Sequence, residues 1–132
     1  MKKKYLLDTN VIVDLLRGAP ESLISKLRTI GLNSCAIADI TKYELFCGVF
    51  ESKNACDNFT RVLEALSELE VIPSSDAYMT AAAQKAELYS KGTPIEDFDL
   101  LIGCTALCSE RVLLTKNVKH MSRIEYLDIE TY

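Results

Sequence analysis

Apolar positions along the chain fall into short unbroken runs that alternate with longer stretches at helical spacing. Tyr5, Leu6 and Leu7 form an apolar triplet, as expected of a strand covered on both faces. Asp8, Thr9 and Asn10 follow, three consecutive good helix caps, before the apolar run Val11 to Leu16. That helix should end near Gly18, with Pro20 blocking its continuation. Leu23, Ile24, Leu27 and Ile30 mark a second helix closed by Gly31, and Asn33 to Ala38 reads as a second strand. Asp39 and Thr41 open a third helix holding Tyr43, Leu45, Phe46 and Val49. Phe59, Val62, Leu63, Leu66 and Leu69 mark an amphipathic fourth.

Val71 and Ile72 make a very short strand stopped by Pro73, and Ser74, Ser75 or Asp76 is placed to cap the next helix. That helix runs to about Lys91 with Tyr78, Ala82, Ala86 and Tyr89 on one face, and Gly92 and Pro94 end it. Ile95 to Phe98 reads as a loop. Leu100 to Cys108 is apolar nearly all round, so this helix should be central. Val112 to Thr115 predicts a strand, Asn117 to Arg123 a polar turn and Leu127 to Ile129 a last strand. Short apolar strands alternating with helices predict an α/β fold: three α/β/α layers around a short, mainly parallel sheet of about five strands. With 132 residues and no repeat or linker, positions 1–132 read as one domain.

Composition narrows the class. Apolar residues are 48% of the chain, too many for a disordered segment, and no run approaches the roughly 18 residues of a membrane span. Asp8 and Asn10 interrupt any signal-like core, which places the chain in the cytoplasm and off the membrane. A net charge of −4 argues against a general nucleic-acid coat but not against a locally acidic site. Five cysteines without a C-x-x-C pair read as reduced, mostly buried thiols.

Three acids stand where helices begin: Asp8, Glu44 and Asp99. Each has a purely structural reading, Asp8 and Asp99 as caps and Thr41-x-x-Glu44 as a capping box. In a doubly wound sheet, however, helices that follow strands start at one edge, so the three can converge. Converging carboxylates repel unless a cation joins them, and a hard divalent ion is the simplest remedy. Such an ion activates water and neutralises phosphate, which suits phosphodiester hydrolysis.

Leu6-Leu7-Asp8-Thr9-Asn10, Thr41-x-x-Glu44, Asp99-Leu100-Leu101-Ile102-Gly103 and Leu114-Thr115-Lys116-Asn117 occur in the order and spacing of PIN-domain nucleases. The chain most resembles the VapC-type toxins of toxin–antitoxin pairs, over essentially its whole length down to Leu127-Asp128-Ile129-Glu130. The resemblance implies a Mg²⁺-dependent (or Mn²⁺-dependent) endoribonuclease whose metal is held by Asp8, Glu44 and Asp99. It further implies that Asn117, where a fourth acid often stands, positions a water or phosphate, and that Thr9 and Thr115 line the site. A homodimer and a VapB-like antitoxin that blocks the acidic site are also implied. Gly103-Cys104 stands where Ala-Ala is common and Met121 where an aromatic is common; both read as core changes. His120 replaces a further acid found in some members, which argues against a second metal.

The mechanism expected is in-line attack on RNA, tRNA or another structured RNA, by metal-activated water. Asp8 and Asp99 are its principal ligands, and Glu44 is a ligand or general base. Lys116, Lys119 and Arg123 are candidate phosphate contacts. Glu96 and Asp97 read as a solvated loop, His120 as a surface residue near RNA phosphate, and Asp14 is left unassigned. Two rivals stand beside this reading. One is an aspartate-nucleophile phosphatase built on Asp8, which lacks the second aspartate expected two positions on; the other is a PIN-fold binding module without cleavage.

Overall fold

In the computed structural model, which describes residues 2–132, five strands form one sheet: Tyr5–Leu7 (β1), Cys35–Ala38 (β2), Glu70–Ile72 (β3), Val112–Leu114 (β4) and Ile129–Glu130 (β5). All neighbours pair parallel, in the order β3-β2-β1-β4-β5, so the first apolar triplet is the central strand. The helices are Thr9–Leu16 (α1), Glu21–Ile30 (α2), Asp39–Glu51 (α3), Ala55–Ser67 (α4), Tyr78–Ser90 (α5), Asp97–Cys108 (α6) and the short Val118–Met121 (α7). Among the described residues, no helix is long and apolar enough to cross a membrane.

Strand residues alternate between two buried faces. Tyr5, Leu7, Cys35, Ile37, Val112 and Leu114 join residues of α1 to α4 in one apolar cluster. Leu6, Ala36, Ala38 and Leu113 join α5 and α6 in the other. Because both faces are covered, the central strands show no polar alternation. A fully buried leucine contributes about 1.5–3 kcal/mol, so Leu6, Leu7, Leu113 and Leu114 fix the register of β1 against β4 strongly. Arg111, buried just before β4, donates to the Tyr5 carbonyl at 3.2 Å and to Glu70 at 2.7 Å, linking the amino ends of β1 and β3.

Several boundaries differ from the sequence expectation. Asn33 and Ser34 belong to a 3₁₀ turn, Leu32–Ser34, so β2 starts at Cys35. Ser74 to Asp76 form a 3₁₀ turn ending at Ala77, and none of the three caps α5 through its side chain. On α5 the buried side carries Ala81 and Leu88, continuing from Ala77 just before it, while Tyr78, Ala82, Ala86 and Tyr89 face solvent. Both stripes have helical spacing, and alanine does not discriminate between them. Helix α6 begins at Asp97, three residues before Leu100, and the expected turn after β4 contains α7. The last strand is Ile129–Glu130. Of the cysteines, Cys35 and Cys104 are buried, Cys47 is partly so, and Cys56 and Cys108 are exposed; all five thiols are free.

Gly103 has a packing reason. A Cβ there would meet Ile124 Cδ1 at 2.3 Å and Leu127 Cδ2 at 3.3 Å, so α6 lies against the segment after α7 at glycine distance. Gly103→Ala should therefore destabilise by about 1 kcal/mol, the overpacking cost exceeding the gain in helix propensity. Adding Ile124→Val removes the clashing methyl and should recover most of that loss. Chemical denaturation of Gly103→Ala, Ile124→Val and the double variant measures the coupling, and simple additivity would refute this packing account.

Candidate active site

Asp8 follows β1 and Thr115 follows β4, so both stand at the carboxyl edge between two neighbouring strands that lie on either side of a crossover. Ligands of open α/β sheets bind at such an edge. Asp8 is only 3% exposed, and a buried charge at this depth requires partners. It has them: Thr115 Oγ1 donates to Oδ2 at 2.7 Å and the Thr9 amide to Oδ1 at 2.8 Å. The capping expectation for Asp8 holds, since it is the N-cap of α1.

Glu44 arrives from α3, six positions along the helix that follows β2. The helix starts at Asp39 with Ala38 at its cap, so Thr41 and Glu44 are interior residues rather than a capping box. Thr9 Oγ1 donates to Glu44 Oε1 at 2.7 Å and lies 3.0 Å from Oγ1 of the fully buried Thr41. Thr9 thus touches Asp8 through its amide and Glu44 through its hydroxyl. Asp99 stands in the first turn of α6, which Glu96 rather than Asp99 precedes as cap residue. Its Oδ2 accepts from Asn117 Nδ2 at 3.4 Å, and Asn117 Oδ1 lies 2.7 Å from His120 Nδ1. Asn117 is further fixed by its amide, which donates to Thr115 Oγ1 at 2.9 Å.

The three carboxylates feel one another. Burial, followed by the charges of Asp8, Glu96 and Glu44, pushes Asp99 up to about 6. Burial also raises Glu44, where the Thr9 hydrogen bond pulls the other way and the charges of Asp8 and Glu96 add to the rise. Asp8 is raised by burial and drawn back by Thr115 and Thr9. Repulsion of this kind is what a cation relieves, and the donors are all oxygen, so the set fits a hard divalent ion. Among the described residues, no three of His, Cys, Asp and Glu stand close enough to ligate an ion without adjusting. Each carboxylate rests instead on a hydroxyl or amide.

Glu96 was expected in a solvated loop. It is exposed, yet its charge raises both Glu44 and Asp99, so it borders the site. Asp97 turns outward to Lys85 at 2.7 Å. The expectation missed Thr41 as a site neighbour because a threonine three before a glutamate imitates a cap. Of the basic candidates, Lys116 is placed next to Thr115 and pairs with Asp14 at 3.3 Å. Lys119 is exposed on α7, and Arg123 donates to the Pro94 carbonyl at 2.6 Å beside the end of α5.

The chain is similar to known proteins in sequence and in fold. The family model of the PIN domain matches residues 5–125. Ribonuclease VapC2 of Rickettsia felis is 34% identical over 97% of each chain. The tRNA(fMet)-specific endonuclease VapC of Salmonella typhimurium is 30% identical over 98% of each. Among solved structures, VapBC2 of Rickettsia felis bound to a promoter DNA fragment contains a chain that superposes with a TM-score of 0.89, at 32% identity, covering 97% of this chain and 98% of that one.

The raised Asp99 carboxyl has a direct consequence for stability. Its folded value of about 6 exceeds the ordinary 3.8, so between these values the folded state binds more protons than the unfolded one. That contribution is fully present below about 3.8 and is lost as pH rises through about 6. Thermal melts of metal-free protein should therefore show Asp99→Asn several degrees more stable than wild type at pH 7.5. The advantage should shrink as pH falls towards 4, and an advantage that is independent of pH would contradict the assignment.

Proposed function

The chain belongs to the PIN-domain family, with the VapC ribonucleases, and from that premise we propose that it is an endoribonuclease, the toxin of a toxin–antitoxin pair. The observation that carries the reading is the hydrogen-bond network by which Thr9, Thr115 and Asn117 link Asp8, Glu44 and Asp99 around the β1–β4 edge, with burial raising all three acids and their neighbours' charge raising two. A retired site would have no reason to keep mutually repelling acids there. The tRNA specificity in the Salmonella relative's name supports structured RNA as the substrate class.

Asp8, Glu44 and Asp99 form an all-oxygen donor set that suits Mg²⁺ or Mn²⁺, and such an ion would neutralise phosphate charge and acidify a water. The remaining work falls to the chain itself. Thr115 and the Thr9 amide hold Asp8 at the edge and oppose the rise that burial causes in its pKa. Glu44, held by the Thr9 hydroxyl, serves either as one of those donors or as the base that takes the proton of the attacking water. Asn117 bridges Asp99 and His120 and offers its amide to phosphate or water. Lys116 and Lys119 supply positive charge beside the edge, with Arg123 further out.

The solved VapBC complexes support a VapB-like antitoxin as partner. A groove between α1, α3 and α4, lined by Val13, Leu16, Leu45, Val49 and Val62 with Glu44 at its rim, offers a partner helix both apolar contact and access to the acids. A homodimer is supported by the solvent-facing stripe on α5, where Tyr78 is 57%, Met79 89% and Tyr89 77% exposed.

Antitoxin-free protein incubated with a mixed tRNA pool should cleave it in Mg²⁺ and not in EDTA. Asp8→Asn should lower the rate at least ~100-fold, the order expected when a principal charge-positioning group is lost. With water as the nucleophile and the 3′ oxygen as the leaving group, the products should carry 5′-phosphate and 3′-hydroxyl ends. A 2′,3′-cyclic phosphate product would contradict the mechanism.

A further inference from the structure

Three elements converge on one lysine beside the acidic edge. Lys116 follows Thr115 at the end of β4, and its Nζ lies 3.3 Å from Asp14 Oδ2 on α1 and 4.9 Å from the centre of the Tyr132 ring. Tyr132, two residues beyond β5, donates its hydroxyl to the same Asp14 oxygen at 2.6 Å. Asp14 is therefore held from one side by a phenol and neutralised from the other by an ammonium. Those bonds keep its carboxyl below the ordinary range. Tyr132, half-buried, packs against the cluster formed by β1, β4 and α1 to α4, so the ring under Lys116 rests on the core.

This arrangement is more than a surface ion pair. An exposed lysine normally wanders over many rotamers, and an isolated exposed pair contributes little. Here the ammonium lies over an aromatic face, which supplies a cation–π contact, and Asp14 ties the charge at a fixed point. An ammonium has three donors, Asp14 takes one, and the Lys116 side chain is still 50% exposed. Thr115, the residue just before it, is bonded to Asp8, so Lys116 follows directly on a residue of the acidic site. Lys119 and Arg123 lack this arrangement: the first is exposed, and the second is committed to the Pro94 carbonyl.

We propose that Lys116 is the pre-ordered cation that binds an RNA phosphate flanking the bond to be cut, and that Asp14 and Tyr132 are positioning residues that hold it there. Ordering the lysine before RNA arrives spares the complex that entropy, which is where the gain in affinity comes from. The proposal deepens the ribonuclease reading and rests on it.

The test measures binding of a labelled tRNA pool to Asp8→Asn protein between 50 and 200 mM KCl, with cleavage by the parent chain as a separate control. Lys116→Met should weaken binding ~5-fold and lower the slope of log affinity against log salt by about 0.7–0.9, the signature of one lost phosphate contact. Lys116→Arg should restore the slope. Tyr132→Leu should weaken binding ~2–3-fold with Lys116 present and not at all in the Lys116→Met background, because it acts through the lysine. Tyr132→Phe, which keeps the ring, should fall between Tyr132→Leu and the parent and guards against a folding defect. In the cleavage control, Lys116→Met should raise KM and leave kcat nearly unchanged. An unchanged salt slope in Lys116→Met, or an equal Tyr132→Leu effect with and without the lysine, would overturn the proposal while leaving the ribonuclease intact. No cleavage by the parent chain would overturn the ribonuclease reading and this proposal together.

Discussion

Asp8 is a charge in a place where water barely reaches, and two hydrogen bonds make that tolerable: one from Thr115 at the end of β4, the other from the Thr9 amide at the start of α1. A hydrogen bond to an ionised group contributes roughly 1.5–3 kcal/mol, and a buried carboxylate without one would protonate. The pairing of β1 with β4 is thus both a packing fact and the source of a hydrogen bond that favours the ionised form of the first acid against its burial. Thr9 extends the same network to Glu44, and Thr115 extends it to Asn117 and so to Asp99. Two threonines connect every acid of the site.

The network also explains why the sheet can be so short. Strands of two to four residues bury little on their own, but Leu6, Leu7, Leu113 and Leu114 fill both faces at the centre. Each parallel crossover delivers a helix start to the same edge. The cost appears as repulsion: Asp99 is pushed to about 6 by burial and by its acidic neighbours, and Glu44 rises with it. Such frustration is characteristic of a site kept for chemistry rather than for stability.

Much of this was legible in the sequence. The triplets Tyr5–Leu7 and Val112–Leu114 have no polar alternation, which announces buried parallel strands, and Asp8 caps α1 as expected, whereas Asp99 falls inside the first turn of α6 rather than at its cap. The stripe of α5 was not legible, because alanine and tyrosine fit either face and only the neighbouring α6 selects Ala81 and Leu88. Thr41 was misread as a cap because local spacing cannot tell a helix start from its second turn; its real partner, Thr9, is 32 positions away. The Asp14–Lys116–Tyr132 cluster joins residues up to 118 positions apart, which no periodicity could announce.

The central claim is that Asp8, Glu44 and Asp99 act as one hard-cation site. Titrating Mn²⁺ into purified, antitoxin-free protein while following free Mn²⁺ by electron paramagnetic resonance tests it without reference to activity. The account requires saturable uptake that is abolished in Asp8→Asn and strengthens as pH rises through about 6, where Asp99 loses its proton. Uptake that is absent in wild type, or equal in Asp8→Asn, would contradict it.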